Sequence, residues 1–295
     1  MENFVVSARK HRPKGFEEVV GQEHITTTLE NAIKNNHLGQ ALLFCGPRGV
    51  GKTTCARIVS RMINGMDSAD MERTAAMNIY ELDAASNNTV DDIRNLVDQV
   101  RYAPQSGKYK VYIIDEVHML SNQAFNAFLK TLEEPPSYAI FILATTEKHK
   151  VIPTILSRCQ IFDFNRIGVE DISSHLAKIA KLEGIEAEAA ALHLIAQKAD
   201  GALRDALSLF DLLVTYASGQ ALTYTSVVKN LHILDYDYFF KFQMFFSSPS
   251  PSFSSCMVAP KFLNMVVLCH FLSHLSPCFS LAADSAISYC LFTLS

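Results

Sequence analysis

The octapeptide Gly46-Pro-Arg-Gly-Val-Gly51-Lys52-Thr53 constrains this chain more than any other stretch of it. It fits G-x-x-x-x-G-K-[ST], follows the apolar run Ala41–Cys45 and opens a helical pattern over residues 51–64, the strand–loop–helix setting that a phosphate-binding loop needs. Gly46, Gly49 and Gly51 let the backbone turn tightly and aim its N–H groups inward. Polyphosphate then sits at a helix N-terminus, where unpaired N–H groups and the dipole favour negative charge. The candidate contacts are Gly46, Pro47, Arg48, Gly49, Val50, Gly51, Lys52, Thr53 and Thr54. In such a loop the lysine bridges the β- and γ-phosphates of ATP and the first hydroxyl holds Mg²⁺. Lys52 and Thr53 take those places here, and Thr54 offers a second hydroxyl.

The loop stands in an alternation of elements. Short apolar runs at 41–45, 79–82, 111–115, 139–144 and 160–164 read as strands, most of them apolar on both faces, with helical patterns at 51–64, 90–100 and 121–133 between them. That predicts an α/β domain with a doubly wound parallel sheet. The proline pair Pro135-Pro136 ends the last helix, because proline disfavours helical backbone in the residue before it. From 169 to 230 the texture becomes wholly helical: Ile172, Leu176, Ile179 and Leu182, then Ala191, Leu192, Leu194 and Ile195, then Leu203, Leu207, Leu209 and Leu212 recur at helical spacing. The expected organisation is a nucleotide-binding α/β domain at 1–166, a helical lid at 167–242 and an atypical tail at 243–295.

The tail is set apart by charge. Residues 1–242 hold 54 of the 56 charged side chains, and 243–295 hold only Lys261 and Asp284 beside twelve serines and four of the seven cysteines. A surface so poor in charge is unusual. Three readings stand: a membrane span, which Lys261, Asn264, His270, His274 and Pro277 interrupt; an unusual folded module; or an end translated out of its native frame, the reading favoured by the abrupt change of regime. The net charge of −4 does not advertise wholesale nucleic-acid binding, though a local basic stripe is compatible with it. The first twenty residues lack the apolar stretch of a secretory signal, and no C-x-x-C pair occurs, so a reducing cytoplasm is expected and no membrane partner.

Val111-Tyr-Ile-Ile-Asp115-Glu116 is an apolar strand ending in two carboxylates. Ligands bind beyond the carboxyl ends of such strands. Asp115 is therefore placed to support Mg²⁺, and Glu116 to polarise an attacking water, unless the pair is simply an acidic turn into solvent. Leu143-Ala-Thr145-Thr146 ends another strand, where a hydroxyl either meets the γ-phosphate or lytic water or caps the strand. Arg158, before the last strand, is either a finger for a neighbour's nucleotide or half of a surface ion pair, and Arg204 either folds onto the phosphates or stays solvated.

These residues, together with Glu81-Leu-Asp-Ala-Ala-Ser86, Tyr102-Ala-Pro104, Ile114-Asp-Glu-Val-His-Met-Leu120, Phe125-Asn-Ala-Phe-Leu-Lys-Thr-Leu-Glu-Glu-Pro-Pro136, Ser157-Arg-Cys159, Leu203-Arg-Asp-Ala-Leu-Ser208 and the segment 8–24, resemble the AAA+ clamp-loader family of the gamma/tau type in bacterial DNA polymerase III. The resemblance covers about residues 4–240. It implies an ATPase that loads a sliding clamp on primed DNA in a ring of five with delta and delta-prime subunits and further copies of itself. It implies sensor-1 and sensor-2 roles for Thr146, with Thr145 second, and for Arg204. Arg158 becomes a finger acting in trans, and Arg12 and Val20 lie in the segment bordering the adenine. Primer–template DNA is an expected partner, and Asn87, Asn88 and Thr89, before the helix at 90, are candidates for it; local capping by Asn88 or Thr89 competes with that role. Two departures stand out. Segment 64–78 lacks the family's four-cysteine module, so no zinc is expected, and the resemblance fades near Phe242, where the family continues into a collar domain. The rivals are another AAA+ motor such as a branch-migration helicase, a nucleotide-binding subunit that never turns over, and, on the tail alone, a membrane-tethered protein.

Overall fold

A computed structural model of the 295-residue chain describes residues 5–65, 78–104, 107–217 and 221–231, all within one compact unit, Met1–Ile233. The low-charge tail and most of the segment for which no zinc is expected, residues 66–77, lie outside the described residues. The order is α1 (Ser7–Lys10), α2 (Glu23–Lys34), β1 (Ala41–Cys45), α3 (Lys52–Ile63), β2 (Ile79–Asp83), α4 (Val90–Val100), β3 (Lys110–Asp115), α5 (Asn122–Glu133), β4 (Ala139–Thr145), α6 (Pro153–Leu156) and β5 (Gln160–Asp163). Four further helices follow: α7 (Val169–Leu182), α8 (Ala189–Lys198), α9 (Leu203–Ala217) and α10 (Tyr224–Asn230).

The five strands pair in the order β2-β3-β4-β1-β5, every pair parallel. Successive side chains point to opposite faces, and both faces of the central strands are filled. Leu42, Phe44, Val111, Ile113, Ile140 and Ile142 pack with Leu29 of α2 and Ile58 and Val59 of α3. Leu43, Tyr112, Ile114, Phe141 and Leu143 pack with Ile93 and Leu96 of α4 and Phe125 and Phe128 of α5. Fully burying such a side chain contributes about 1.5–3 kcal/mol, so the strand ends that carry the polar residues project from a stiff base.

The outer strands depart from the expectation of two apolar faces. β2 and β5 are partly exposed, because an edge strand has a neighbour on one side only. Strand β5 also ends one residue earlier than its sequence pattern, at Asp163, although Phe164 stays buried in the core. Local signals account for the helix ends. Thr89 accepts a bond from the Asp92 N–H while the Asp92 carboxylate accepts one from the Thr89 N–H, a reciprocal cap for α4. Ser121 accepts from the Ala124 N–H at the start of α5.

Helices α7 to α10 enclose a core of their own that includes Ile172, Leu176, Ile179, Leu192, Ile195, Leu207, Phe210 and Leu213. Two of the periodic leucines fall outside it: Leu182 is 77% exposed at the end of α7, and Leu212 is 47% exposed beside the buried stripe Ala206, Leu207, Phe210, Leu213 of α9. The N-terminal segment is strapped to this layer. The Ser7 N–H donates to Asp211 Oδ2 at 2.7 Å, and the Ser7 hydroxyl donates to the same carboxylate. Lys10 Nζ and His11 Nε2 stand 2.6 and 2.7 Å from Glu183 Oε1.

Candidate nucleotide site

The loop from β1 to α3 takes the backbone its glycines permit: φ is +147° at Gly46, +78° at Gly49 and +105° at Gly51. A side chain at Gly46 would drive a Cβ to 2.4 Å from the Phe164 carbonyl oxygen, whereas at Gly51 it would meet no atom within 4 Å. Lys52, at the first turn of α3, is only 6% exposed. Its Nζ donates to the carbonyls of Gly46 at 2.8 Å and Pro47 at 2.7 Å. Burial pulls the Lys52 pKa down, and the Glu116 and Asp115 carboxylates oppose it. The cation is thus bonded to two carbonyls of its own loop and lies within reach of the field of two acids.

The end of β3 supplies those acids. The Thr53 hydroxyl donates to Asp115 Oδ2 at 2.6 Å, and the Glu116 N–H donates to Asp115 Oδ1 at 2.9 Å. Glu116 itself adopts a left-handed backbone, φ +48° and ψ +45°, which turns the chain sharply between the two carboxylates. A residue with a side chain holds that conformation only where its surroundings impose it. Glu116 Oε2 accepts the Thr146 N–H at 3.3 Å and the Thr146 hydroxyl at 3.0 Å. The hydroxyl read as facing a γ-phosphate or water is thus bonded to Glu116 in this structure. Thr145 is buried, and its hydroxyl accepts the Glu147 N–H at 3.0 Å.

A cleft of about 350 Å³ opens over these groups, lined by Arg12, Val20, residues 48–54, Asp83, Asp115, Glu116 and Arg204. Arg12 and Val20 enter from the N-terminal segment and Arg204 from the start of α9, whose backbone N–H donates to the Gly49 carbonyl at 3.4 Å. Burial, and next the Arg57 guanidinium, lower the Arg12 pKa, with Arg204 and Arg9 adding to the effect. Only Arg57 in this group has a carboxylate bound two-handed, Glu81 at 2.7 and 3.0 Å. Crowded guanidinium groups at a partly buried cleft favour a polyanion there.

The donor set also suits a hard cation. Thr53 Oγ1 and Asp115 are oxygen donors, and Mg²⁺ characteristically takes one or two protein oxygens and completes its shell with phosphates and water. No group of three His, Cys, Asp or Glu side chains arranged for a metal stands among the described residues, which such a cation does not require. Burial pushes the thiols near the loop up, Cys45 to about 11 and Cys55 to about 12, so both are protonated as they stand.

Other expected site residues lie elsewhere. The Arg158 guanidinium rests on Glu133 Oε1 at 2.7 Å and on the Thr154 carbonyl at 2.6 Å, and it does not line the cleft. The Asn87 amide donates to the Asp83 carbonyl at 3.1 Å, the Asn88 carbonyl accepts the Ser121 N–H, and Thr89 caps α4. Two residues beside the site escaped the sequence reading. Asp83 ends β2 in register with Asp115, a position its place at the close of an apolar run could have flagged. His118 sits in the short turn Val117–Met119 behind Glu116, and its sequence context gives no such signal.

Comparison with known proteins gives the chain's family. Residues 21–168 match the family described as DNA polymerase III, delta subunit, and residues 171–219 match the family described as the ATPase lid domain of the DNA polymerase III clamp loader subunit. The DNA polymerase III subunit tau of Bacillus subtilis is 49% identical over 242 residues, which cover 76% of this chain and 43% of that protein. Subunit tau of Escherichia coli is 45% identical over 247 residues, 80% of this chain and 38% of that protein. Subunit gamma of Buchnera aphidicola is 40% identical over 244 residues, 79% of this chain and 66% of that protein. The chain spans about two fifths of the length of the tau relatives it matches. Among solved structures, the Thermotoga maritima RuvB Holliday junction branch migration motor superposes with a TM-score of 0.60 at 24% identity, over 76% of this chain and 72% of that one, a likeness of fold.

Proposed function

Because the chain belongs to the DNA polymerase III clamp-loader family, we propose that it binds ATP with Mg²⁺ at the Lys52 loop and hydrolyses it to drive loading of a sliding clamp on primed DNA. The observation that carries this reading is the meeting of Lys52, Thr53, Asp115 and Glu116 at one cleft, from the loop after β1 and from the end of β3, with β4 between the two strands.

On this reading Lys52 leaves the Gly46 and Pro47 carbonyls for the β- and γ-phosphates, exchanging two neutral acceptors for charged ones. The loop amides and the start of α3 hold the polyphosphate in place. Thr53 and Asp115 would hold Mg²⁺, which would supply positive charge against the negative charge developing on the phosphates. Glu116 takes a proton from the attacking water as its oxygen bonds to the γ-phosphorus and the bond to the ADP oxygen breaks. Thr146 orients Glu116 and the water, and Arg204 closes on the phosphates from α9. Arg158 reaches a neighbouring copy's nucleotide and adds positive charge in the transition state. Arg12 and Val20 border the base.

The proposed partners are delta and delta-prime subunits, other copies of this chain in a ring of five, the sliding clamp and primer–template DNA, in a cytoplasmic setting. Asn87, Asn88 and Thr89 keep a proposed DNA role at the start of α4. The α/β and lid portions are proposed to divide near residue 166. A subunit that bound nucleotide without splitting it would have no use for an acid at Glu116, which favours turnover.

Phosphate release by the purified chain tests the reading. Hydrolysis is expected in the unaltered protein and its loss in Lys52→Ala; an unchanged rate in Lys52→Ala would refute the site.

A further inference from the structure

Glu116 is held from behind as well as from the side. His118 follows it by two residues, in the turn Val117–Met119, and the imidazole is 7% exposed. Its Nδ1 lies 3.0 Å from Thr145 Oγ1 and 3.4 Å from Glu116 Oε2, while Nε2 lies 3.6 Å from Glu147 Oε1. A proton on Nδ1 suits the Glu116 carboxylate as one on Nε2 suits that of Glu147, and the Thr145 hydroxyl can pair with Nδ1 as acceptor or donor. The ring then joins the end of β3 to the end of β4 through the Thr145 hydroxyl, which also accepts the Glu147 N–H. His118 does not line the cleft, so it acts on the chemistry through Glu116.

We propose that His118 is a positioning residue for Glu116: the imidazole, anchored by the bond between Nδ1 and Thr145 Oγ1 and standing 3.4 Å from Glu116 Oε2, backs the carboxylate that Thr146 holds and keeps the left-handed turn at Glu116, so that the carboxylate stands ready for the attacking water. The proposal rests on the ATPase reading above. Without the imidazole, the carboxylate keeps its two Thr146 donors and loses the ring that stands 3.4 Å from Oε2. Small misplacements of a reacting group slow the chemical step far more than they weaken nucleotide binding.

The test measures steady-state ATP hydrolysis by the full chain, binding of a fluorescent non-hydrolysable ATP analogue, and thermal melting, for wild type, His118→Ala, His118→Asn and His118→Gln. The Asn side-chain amide nitrogen takes the place of Nδ1, whereas the Gln amide nitrogen reaches the place of Nε2. The expected result is a kcat about tenfold to a hundredfold lower in His118→Ala, with KM and analogue binding nearly unchanged. His118→Asn restores most of the rate and His118→Gln does not. An unchanged kcat in His118→Ala, or equal losses in the Asn and Gln variants that follow their losses in melting temperature, would overturn the proposal. Absence of hydrolysis in the wild type would instead overturn the ATPase reading, and this role with it.

Discussion

Two glycines of the same loop should fail in opposite ways. At Gly46 an alanine Cβ would lie 2.4 Å from the Phe164 carbonyl oxygen and 2.8 Å from its Cβ. Phe164 has little room to yield: it is buried, its N–H donates to the Cys45 carbonyl at 2.7 Å, and its ring lies 5.3 Å from that of Phe44. Backbone strain at φ +147° costs about 1–3 kcal/mol, and overpacking adds a further ~1–3 kcal/mol. At Gly51 the strain remains, at φ +105°, but the space is open. Stiffening of the unfolded chain returns about 0.4–1 kcal/mol to each variant and cancels between them. The difference is about 2 kcal/mol, which for a domain of this size separates the melting temperatures by about 6 °C. Gly46→Ala should be the less stable. Gly51→Ala should fold better yet bind a fluorescent ATP analogue about tenfold more weakly or worse, its methyl taking up open space at a residue that lines the cleft. Circular-dichroism melts and analogue titrations measure both. Equal melting temperatures, or wild-type affinity in Gly51→Ala, would refute the reasoning.

Two further outcomes follow from the geometry. In a reconstituted ring, Arg158→Ala should leave nucleotide binding intact and slow hydrolysis by about 10³-fold; equal rates with and without the change would remove the finger assignment. Hydrogen bonds from Lys10 first, then His11, hold the Glu183 carboxyl below its ordinary value of 4.5. A carboxyl depressed on folding contributes stability that is present above its ordinary value and lost as pH falls through the depressed one. Protection of the amides of residues 7–11, read as exchange relative to an unstructured chain at the same pH, should therefore fall only below about pH 4.5, and Glu183→Gln should abolish that dependence; protection that does not change with pH in the wild type would show that the strap does not rest on this acid.

Local signals carried most of the architecture. The glycine pattern of 46–51, the apolar runs of β1, β3 and β4, the Thr89 cap and the stop at Pro135 each act within a few residues, so each is readable along the chain. Partnerships through space were less legible. Ser7 and Asp211 meet across 204 residues of sequence. That Thr146 bonds to Glu116 depends on the left-handed turn after β3, which the residue type at that position does not favour. Leu182 and Leu212 keep helical spacing yet face solvent, because periodicity gives the width of an apolar stripe but not which member the neighbouring helix covers. Arg158 illustrates the remaining gap: its sequence neighbours point to a role between subunits, while a single chain pairs it with Glu133.

The hydrogen bond from the Arg204 N–H to the Gly49 carbonyl couples the phosphate loop to the base of α9. That helix runs for 15 residues, a rod of about 22 Å. Pivoting the rod at the loop turns a displacement at its foot into a tilt that grows with distance along its axis, so the far end near Ala217 travels furthest.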